Sequence, residues 1–391
     1  FYLELVRIPN LSLNSYVENL LLLIEDLCKT PASRPEVIRA AIGIVALHRF
    51  GYPYFSRLSK LFDRILPQSD IEYVKFTSWC AGRLIHHPDI QQGNYVRHLF
   101  ERLIGWIRAF GRRSRPSAAA HLLASLSMNA GSSVVIYKST LQSIIWNLIS
   151  HQSSKVLKGT ADAISKFTRA VVRYGSSDLN SYLDFFTELC TKLLDSNSTS
   201  KHYAALLVLE QLINQCPDYF LKLFHVYYEK LSDLNDDLLL IKMAQFSAIS
   251  ALSQVDPNAS EYSDAVFSIV ENIIFEFPKE TVDSILVLIK TIPEFIETKL
   301  NELKTFSKGL VNDSDSNFLL LTGLLNKFKE KCFPLDDKLL AEMINTPITI
   351  NYLQFFVALA TTFKNLKQKV DSSHIFHPLI DRIKSELKTD H

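Results

Sequence analysis

Apolar residues recur along most of this chain at intervals of three and four, the spacing of one face of an α-helix rather than of a strand. The clearest stretch is residues 61–86, LFDRILPQSDIEYVKFTSWCAGRLIH. Ile65 and Leu66 close a first helix, and Pro67 stops it because proline cannot donate the next backbone bond. Ser69 and Glu72 then stand three apart, the capping-box spacing that satisfies the orphan N–H groups opening a second helix. In that helix Val74, Ala81 and Leu84 share one face, and Lys75 turns to solvent. Such a hairpin leaves an apolar face that only a neighbouring hairpin can cover.

The unit recurs. Alanines equivalent to Ala81 stand at Ala41, Ala120, Ala163, Ala205 and Ala248, at spacings of 40, 39, 43, 42 and 43 residues. A short polar or basic turn precedes each anchor, from Thr30-Pro31-Ala32-Ser33 to the stretch 232–237. Period and turns together have the form of HEAT repeats. Their signature positions in the clearest hairpin are Asp70, Val74, Lys75, Ala81, Gly82, Arg83 and Leu84. The pattern predicts an all-α fold: an α-solenoid of about nine HEAT-type hairpins wound into a right-handed superhelix.

Taken in order, helices are expected over 15–29 and 33–48, then over 53–66 and 70–86. Further pairs follow at 94–110 with 116–128, 134–150 with 155–173, 178–194 with 199–215, and 217–231 with 236–253. Beyond Asp256-Pro257 the alanine anchor lapses, Ala358 excepted, and Lys and Phe become commoner. Residues 1–255 therefore read as regular repeats and 256–391 as irregular ones, with helices near 260–276, 279–291, 293–307, 315–330, 335–345, 349–364 and 373–388.

Composition agrees. A 391-residue chain is longer than a single compact core usually grows, and a solenoid escapes that limit by extending in one dimension. Only 11 glycines are present, few for a protein built on many tight β-turns, and most of the 14 prolines fall in expected turns or first helical turns. The net charge of +1 gives no global pull towards nucleic acid or anionic membrane. Five cysteines, Cys28, Cys80, Cys190, Cys216 and Cys332, are widely spaced, and three lie on apolar faces, as reduced core thiols would. No apolar run approaches the roughly 20 residues of a membrane span, and no leader is legible. The chain opens at Phe1 and runs straight into helix-like sequence, which predicts a piece of a longer protein.

Candidate chemistry is sparse. His86-His87-Pro88-Asp89 lacks the spacing of a metal site and reads as a helix C-terminus whose histidines favour the dipole. Arg108, Arg112, Arg113 and Arg115 crowd one turn, after Arg97 and Arg102, with Glu101 the only acid from Asn94 to Arg115. They form a candidate docking patch for an acidic partner or a phosphate backbone, against the alternative of a solvated turn. Aromatic interleaving for base stacking is missing, since Trp106 and Phe110 fall at core spacing, so no nucleic-acid partner is expected. The acidic turn 233–237 lacks the glycine and final glutamate of a calcium loop and is expected to cap the next helix. No phosphate-binding glycine loop, nucleophile elbow or kinase catalytic loop occurs, so the segment carries no catalytic, cofactor-binding or metal residue by motif.

One resemblance extends over roughly residues 33–255. The run Leu66-Pro67-Gln68-Ser69-Asp70, then Gly82-Arg83-Leu84, Tyr95-Val96, Arg102-Leu103 to Trp106, and Ala118-Ala119-Ala120-His121-Leu122-Leu123 resembles the N-terminal HEAT region of the TOR (target of rapamycin) kinases. His202 to Leu212 is similar to a further helix of that family. The chain departs from the family at Ser78-Trp79-Cys80, where smaller residues are usual, which marks a divergent fragment. The resemblance implies a non-catalytic scaffold segment of a phosphatidylinositol-3-kinase-related Ser/Thr kinase whose kinase domain lies elsewhere. It implies protein partners: Raptor- or Rictor-like accessory subunits and self-association in a dimeric complex. It also implies a cytoplasmic location, peripheral at endomembranes or partly nuclear. The rival readings are a free-standing HEAT adaptor, such as a nuclear transport receptor or phosphatase scaffold subunit, and a HEAT-type enzyme acting on nucleic acid, which the near-zero net charge disfavours.

Overall fold

Helices with a very wide apolar face must be covered on several sides at once, and the second helix of each hairpin shows what covers it. In a computed structural model the chain is described over residues 17–27, 57, 75, 78–79, 81–82, 84–86, 92–109, 115–256, 264–310, 313–333, 335, 337–365 and 373–389. Every regular element among these residues is helical. They fall into two units, residues 1–215 and 216–391.

In the first unit α1 (Val17–Leu27) presents Glu18 and Glu25 to Arg57, whose guanidinium donates two 3.0 Å bonds to Glu25. Next come α2 (Gln92–Arg108), α3 (Pro116–Asn129), three short pieces α4 (Ser132–Val135), α5 (Lys138–Ile144) and α6 (Trp146–Ile149), then α7 (Ser154–Tyr174), α8 (Leu179–Leu194) and α9 (Thr199–Gln215). The second helices α3, α7 and α9 pack side by side in a row, with α2, α6 and α8 each against its own partner. Being flanked on both sides and backed by a first helix, α7 buries twelve residues from Val156 to Val171 and keeps only a narrow stripe in water.

Small residues let the row close up. Ala120, Ala163 and Ala205 are fully buried, and Ala81 is 1% exposed. Gly159 of α7 lies so near α3 that a Cβ there would sit 3.5 Å from the Ala120 Cβ. Gly82 is tighter still: a Cβ would collide with the Ser125 hydroxyl. Polar ties join the helices, with Thr168 of α7 and Tyr182 of α8 hydrogen-bonded at 3.0 Å in the core and Gln215 of α9 donating to Ser165 at 3.3 Å.

The expected helix over 134–150 is interrupted. Val134, Val135 and Ile136 form a β-branched run that crowds the helical turn, and Tyr137 leaves helical geometry to stack on Phe100 of α2, centroids 4.2 Å apart. Packing against the neighbouring first helix outweighs local continuity here.

The second unit repeats the plan. Its elements are α10 (Pro217–Phe220), α11 (Phe224–Ser232), α12 (Leu239–Leu252), α13 (Asp264–Ile273), α14 (Pro278–Thr291), α15 (Pro293–Thr298), α16 (Leu300–Gly309), α17 (Ser314–Phe328), α18 (Asp337–Ile344), α19 (Ile350–Asn365) and α20 (Ser373–Thr389). Here α12, α14, α17 and α19 form the row. Ala248 and Ala358 are buried, and other small residues serve where alanine is missing. Ser247 and Ser284 meet at 3.0 Å between α12 and α14, Ser253 and Thr291 at 2.5 Å, and Gly323 faces Leu286. Two expected helices, over 217–231 and 293–307, are each divided. The second breaks at Lys299, a buried residue whose ammonium lies over the Phe267 ring at 5.5 Å and pairs with Glu302.

Candidate interaction surface

Of the expected arginine patch, Arg108 is exposed at the end of α2, while Arg115 is partly buried where α3 begins. Its backbone N–H donates to the Trp106 carbonyl at 3.3 Å, which ties the end of α2 to the start of α3. Arg112 and Arg113 lie outside the described residues, so the structure places two of the four at one turn, only one of them turned to water. Among the repeat-signature positions Ala81 and Leu84 are buried and Lys75 is exposed, on the faces their spacing gives them, and Gly82 is buried as well. Asp70, Val74 and Arg83 lie outside the described residues, as do Ala41, Ser69 and Glu72.

The acidic turn behaves differently from expectation. Helix α12 begins at Leu239, with Leu238 at the N-cap position and no side chain capping it. Asp236 instead accepts from the Leu238 N–H at 3.1 Å, which closes a turn just before the helix. The turn is held from inside by Gln245, 3% exposed, whose amide donates to the carbonyls of Leu231 at 2.6 Å and Leu234 at 3.2 Å.

A basic stripe that the sequence reading passed over runs along α7. Lys155, Lys158, Asp162, Lys166, Arg169 and Arg173 repeat at three and four residues and so share the solvent face of a 21-residue helix. Asp162 is the single acid and pairs with Lys166 at 2.7 Å. Arg173 lies over the Tyr174 ring at 5.4 Å. The signal was available as one more helical periodicity, this time of charge, but Lys and Arg on a solvated face draw no notice until the neighbours are known.

Those neighbours make a groove. Between the C-terminal parts of α3 and α7 lies a depression of about 570 Å³. Its walls are Lys166, Arg169, Arg173 and Tyr174 on one side, and the segment 127–133 with His86 on the other. No carboxylate lines it. Met128 and Tyr174 expose 63% and 47% of their surface there. Gly131, at φ +55°, makes the sharp exit from α3 that opens the groove floor. A second groove, about 650 Å³ and mostly apolar, runs between α17 and α19 of the other unit, where Ile350, Leu353 and Val357 are exposed.

Burial pushes the Cys190 thiol far above its usual range and those of Cys216 and Cys332 up to about 11, so all three are inert core thiols. Among the described residues no three His, Cys, Asp or Glu side chains gather to hold a metal ion, and no helix is long and apolar enough to cross a membrane.

No family model matches the sequence, and no curated protein does either. Solved structures do. The chain is similar to yeast importin-beta (Kap95p), with a TM-score of 0.55 and 12% identity over 92% of this chain and 49% of that one. It therefore spans about half the length of that protein. Kap95p bound to RanGDP aligns with a TM-score of 0.45, at 12% identity over 92% of this chain and 50% of that one. A designed armadillo repeat protein in complex with the peptide (KR)4 aligns at 0.30, with 14% identity over 64% and 98% of the two chains. Identities this low speak to fold alone, and the fold is a HEAT/armadillo-type helical-repeat solenoid.

Proposed function

We propose that this chain is a non-catalytic scaffold that holds protein partners on the exposed faces of its helix rows. The observation that carries the reading is the row itself: second helices closed up on small residues, backed by first helices, with one solvent stripe left per helix and grooves between them. Such surfaces suit partners that bury large areas piece by piece. No cofactor enters this reading.

The finer reading is that the parent is a TOR-type kinase and that this is part of its N-terminal solenoid. It is supported by the ordered run of resemblances from Leu66 to Leu212, whose segments 118–123 and 203–209 lie in largely buried stretches of the second helices α3 and α9. The partners would be Raptor- or Rictor-like subunits and a second copy of the parent, in the cytoplasm, at endomembranes or in part in the nucleus. One observation favours a second reading, a nuclear transport receptor: the similarity in fold to importin-beta.

Co-expression separates the two. The tagged 391-residue chain is purified from cells that also produce a Raptor-like subunit, a Rictor-like subunit or Ran held in its GTP form. A stoichiometric complex with either accessory subunit is expected. Complex formation with Ran alone would replace the kinase reading by the receptor one. Coding sequence downstream of His391 gives an independent check, since a kinase domain in the same frame is expected there.

A further inference from the structure

The groove between α3 and α7 has a built-in charge sign that the whole chain lacks. The protein carries a net charge of +1, yet the α7 stripe holds five cations against one acid, and that acid is already paired with Lys166. From Lys155 to Arg173 the stripe is about 27 Å long at 1.5 Å per residue. Arg169 and Arg173 have no carboxylate partner among the described residues, and both reach the groove. These two arginines, held apart from acids on one rigid face, repel each other mildly and gain when an anion binds. Arginine, with its planar fork of donors, suits carboxylates best.

The groove also offers apolar contact. Met128 projects from the α3 side and Tyr174 from the α7 side, flanking the arginines. A free inorganic anion would use neither. An extended nucleic-acid strand would call for successive stacking platforms, and among the described residues lining the groove the aromatic rings are Tyr174 on one wall and His86 on the other, not a series along one face. Charge and apolar surface at this spacing suit a chain that alternates acidic and apolar side chains.

We infer that the α3–α7 groove is a docking site for an acidic segment of a protein partner, bound in extended form, with carboxylates on Arg169 and Arg173 and an aromatic or aliphatic side chain against Met128 and Tyr174. The inference rests on the reading of the chain as a partner-binding scaffold, but not on which parent carries it.

The test is fluorescence anisotropy with the full 391-residue chain. The probe is a labelled 12-residue peptide of Glu-Glu-Phe repeated four times, with Gln-Gln-Phe and Lys-Lys-Phe repeats and a 12-nucleotide oligothymidylate as comparators. The acidic peptide is expected to saturate, to weaken as salt rises, and to outbind all three comparators. Arg169→Glu with Arg173→Glu should lower its affinity about tenfold or more. Arg169→Lys with Arg173→Lys should retain most of it. Lys192→Glu with Lys222→Glu changes the net charge equally at exposed residues that do not line the groove and should leave binding unchanged. Equal losses in the two reversal variants would overturn the site, as would no loss in either. Tighter binding of the oligonucleotide through the same arginines would assign the groove to nucleic acid instead. Circular dichroism and the thermal midpoint of each variant show that the fold is kept. If the peptide fails while the chain still assembles with accessory subunits, the groove assignment falls and the scaffold reading stands.

Discussion

Glu210 lies on α9 beside α7, largely withdrawn from water, and burial raises its pKa from 4.5 to about 7, with Lys158 offsetting part of the rise. A raised carboxylate pKa means that the folded protein keeps a proton which the unfolded chain has already lost. Between about 4.5 and about 7 the native state therefore binds more protons, and stability falls as pH rises through that window. Once both states are ionised the loss is complete, at roughly 3 kcal/mol. Thermal melts from pH 4.5 to 8 should show this fall, and Glu210→Gln should remove its share and raise the midpoint at pH 8. An unchanged slope in the variant would show that the carboxylate is well solvated. Little of this was legible in the sequence, because Glu210 follows a continuous apolar run and could be placed on either rim of the helix. Among the buried thiols Cys190 was legible for the opposite reason, since it sits within the apolar periodicity of α8, whereas Cys216 and Cys332 fall between the expected helices and owe their burial to packing.

At the scale of the element, Gly159 decides how closely α3 and α7 approach. The space beyond its Cα is an ordinary contact distance from Ala120 and His121, at 3.5 Å each. One methyl fits there without displacing either helix, while a larger side chain does not. Gly159→Ala is thus expected to stabilise the protein by about 0.5–1 kcal/mol, the usual gain of alanine over glycine inside a helix. Gly159→Leu should destabilise it by about 1–3 kcal/mol or more through overpacking. Denaturant titration of both variants checks the pair, and a loss in the alanine variant would mean that the seam tolerates no atom at all. Helix pairs were legible almost to the residue where turns carried Pro or Ser, as at Pro116, Thr199 and Pro278. The interruption at Tyr137 was not, because its cause is a stack on Phe100, a residue of the preceding hairpin. Sequence periodicity reports how a helix meets its own core, not which aromatic ring reaches across to the next first helix.

For the whole molecule, the all-α reading predicts a far-UV circular dichroism spectrum dominated by helix, and a strong strand contribution would sink it. The architecture was legible because each repeat restates the same spacing, so errors in one hairpin are corrected by the next. The site was not, because composition sums to a net charge of +1 and hides a basic face that exists only once α7 is flanked and its opposite side buried. The internal clamp on the turn between α11 and α12 has a different kind of consequence. Gln245 holds the Leu231 and Leu234 carbonyls at once, so it measures the turn without touching the side chains of its outer residues. A turn held in this way should be fixed in length and, Asp236 apart, free in composition. Related chains that keep an amide at this position should exchange Ser232, Asp233 and Asn235 readily, keep a side-chain oxygen at Asp236, and accept no insertion or deletion among them, whereas chains that lose the amide should be the ones whose turn has grown or shrunk.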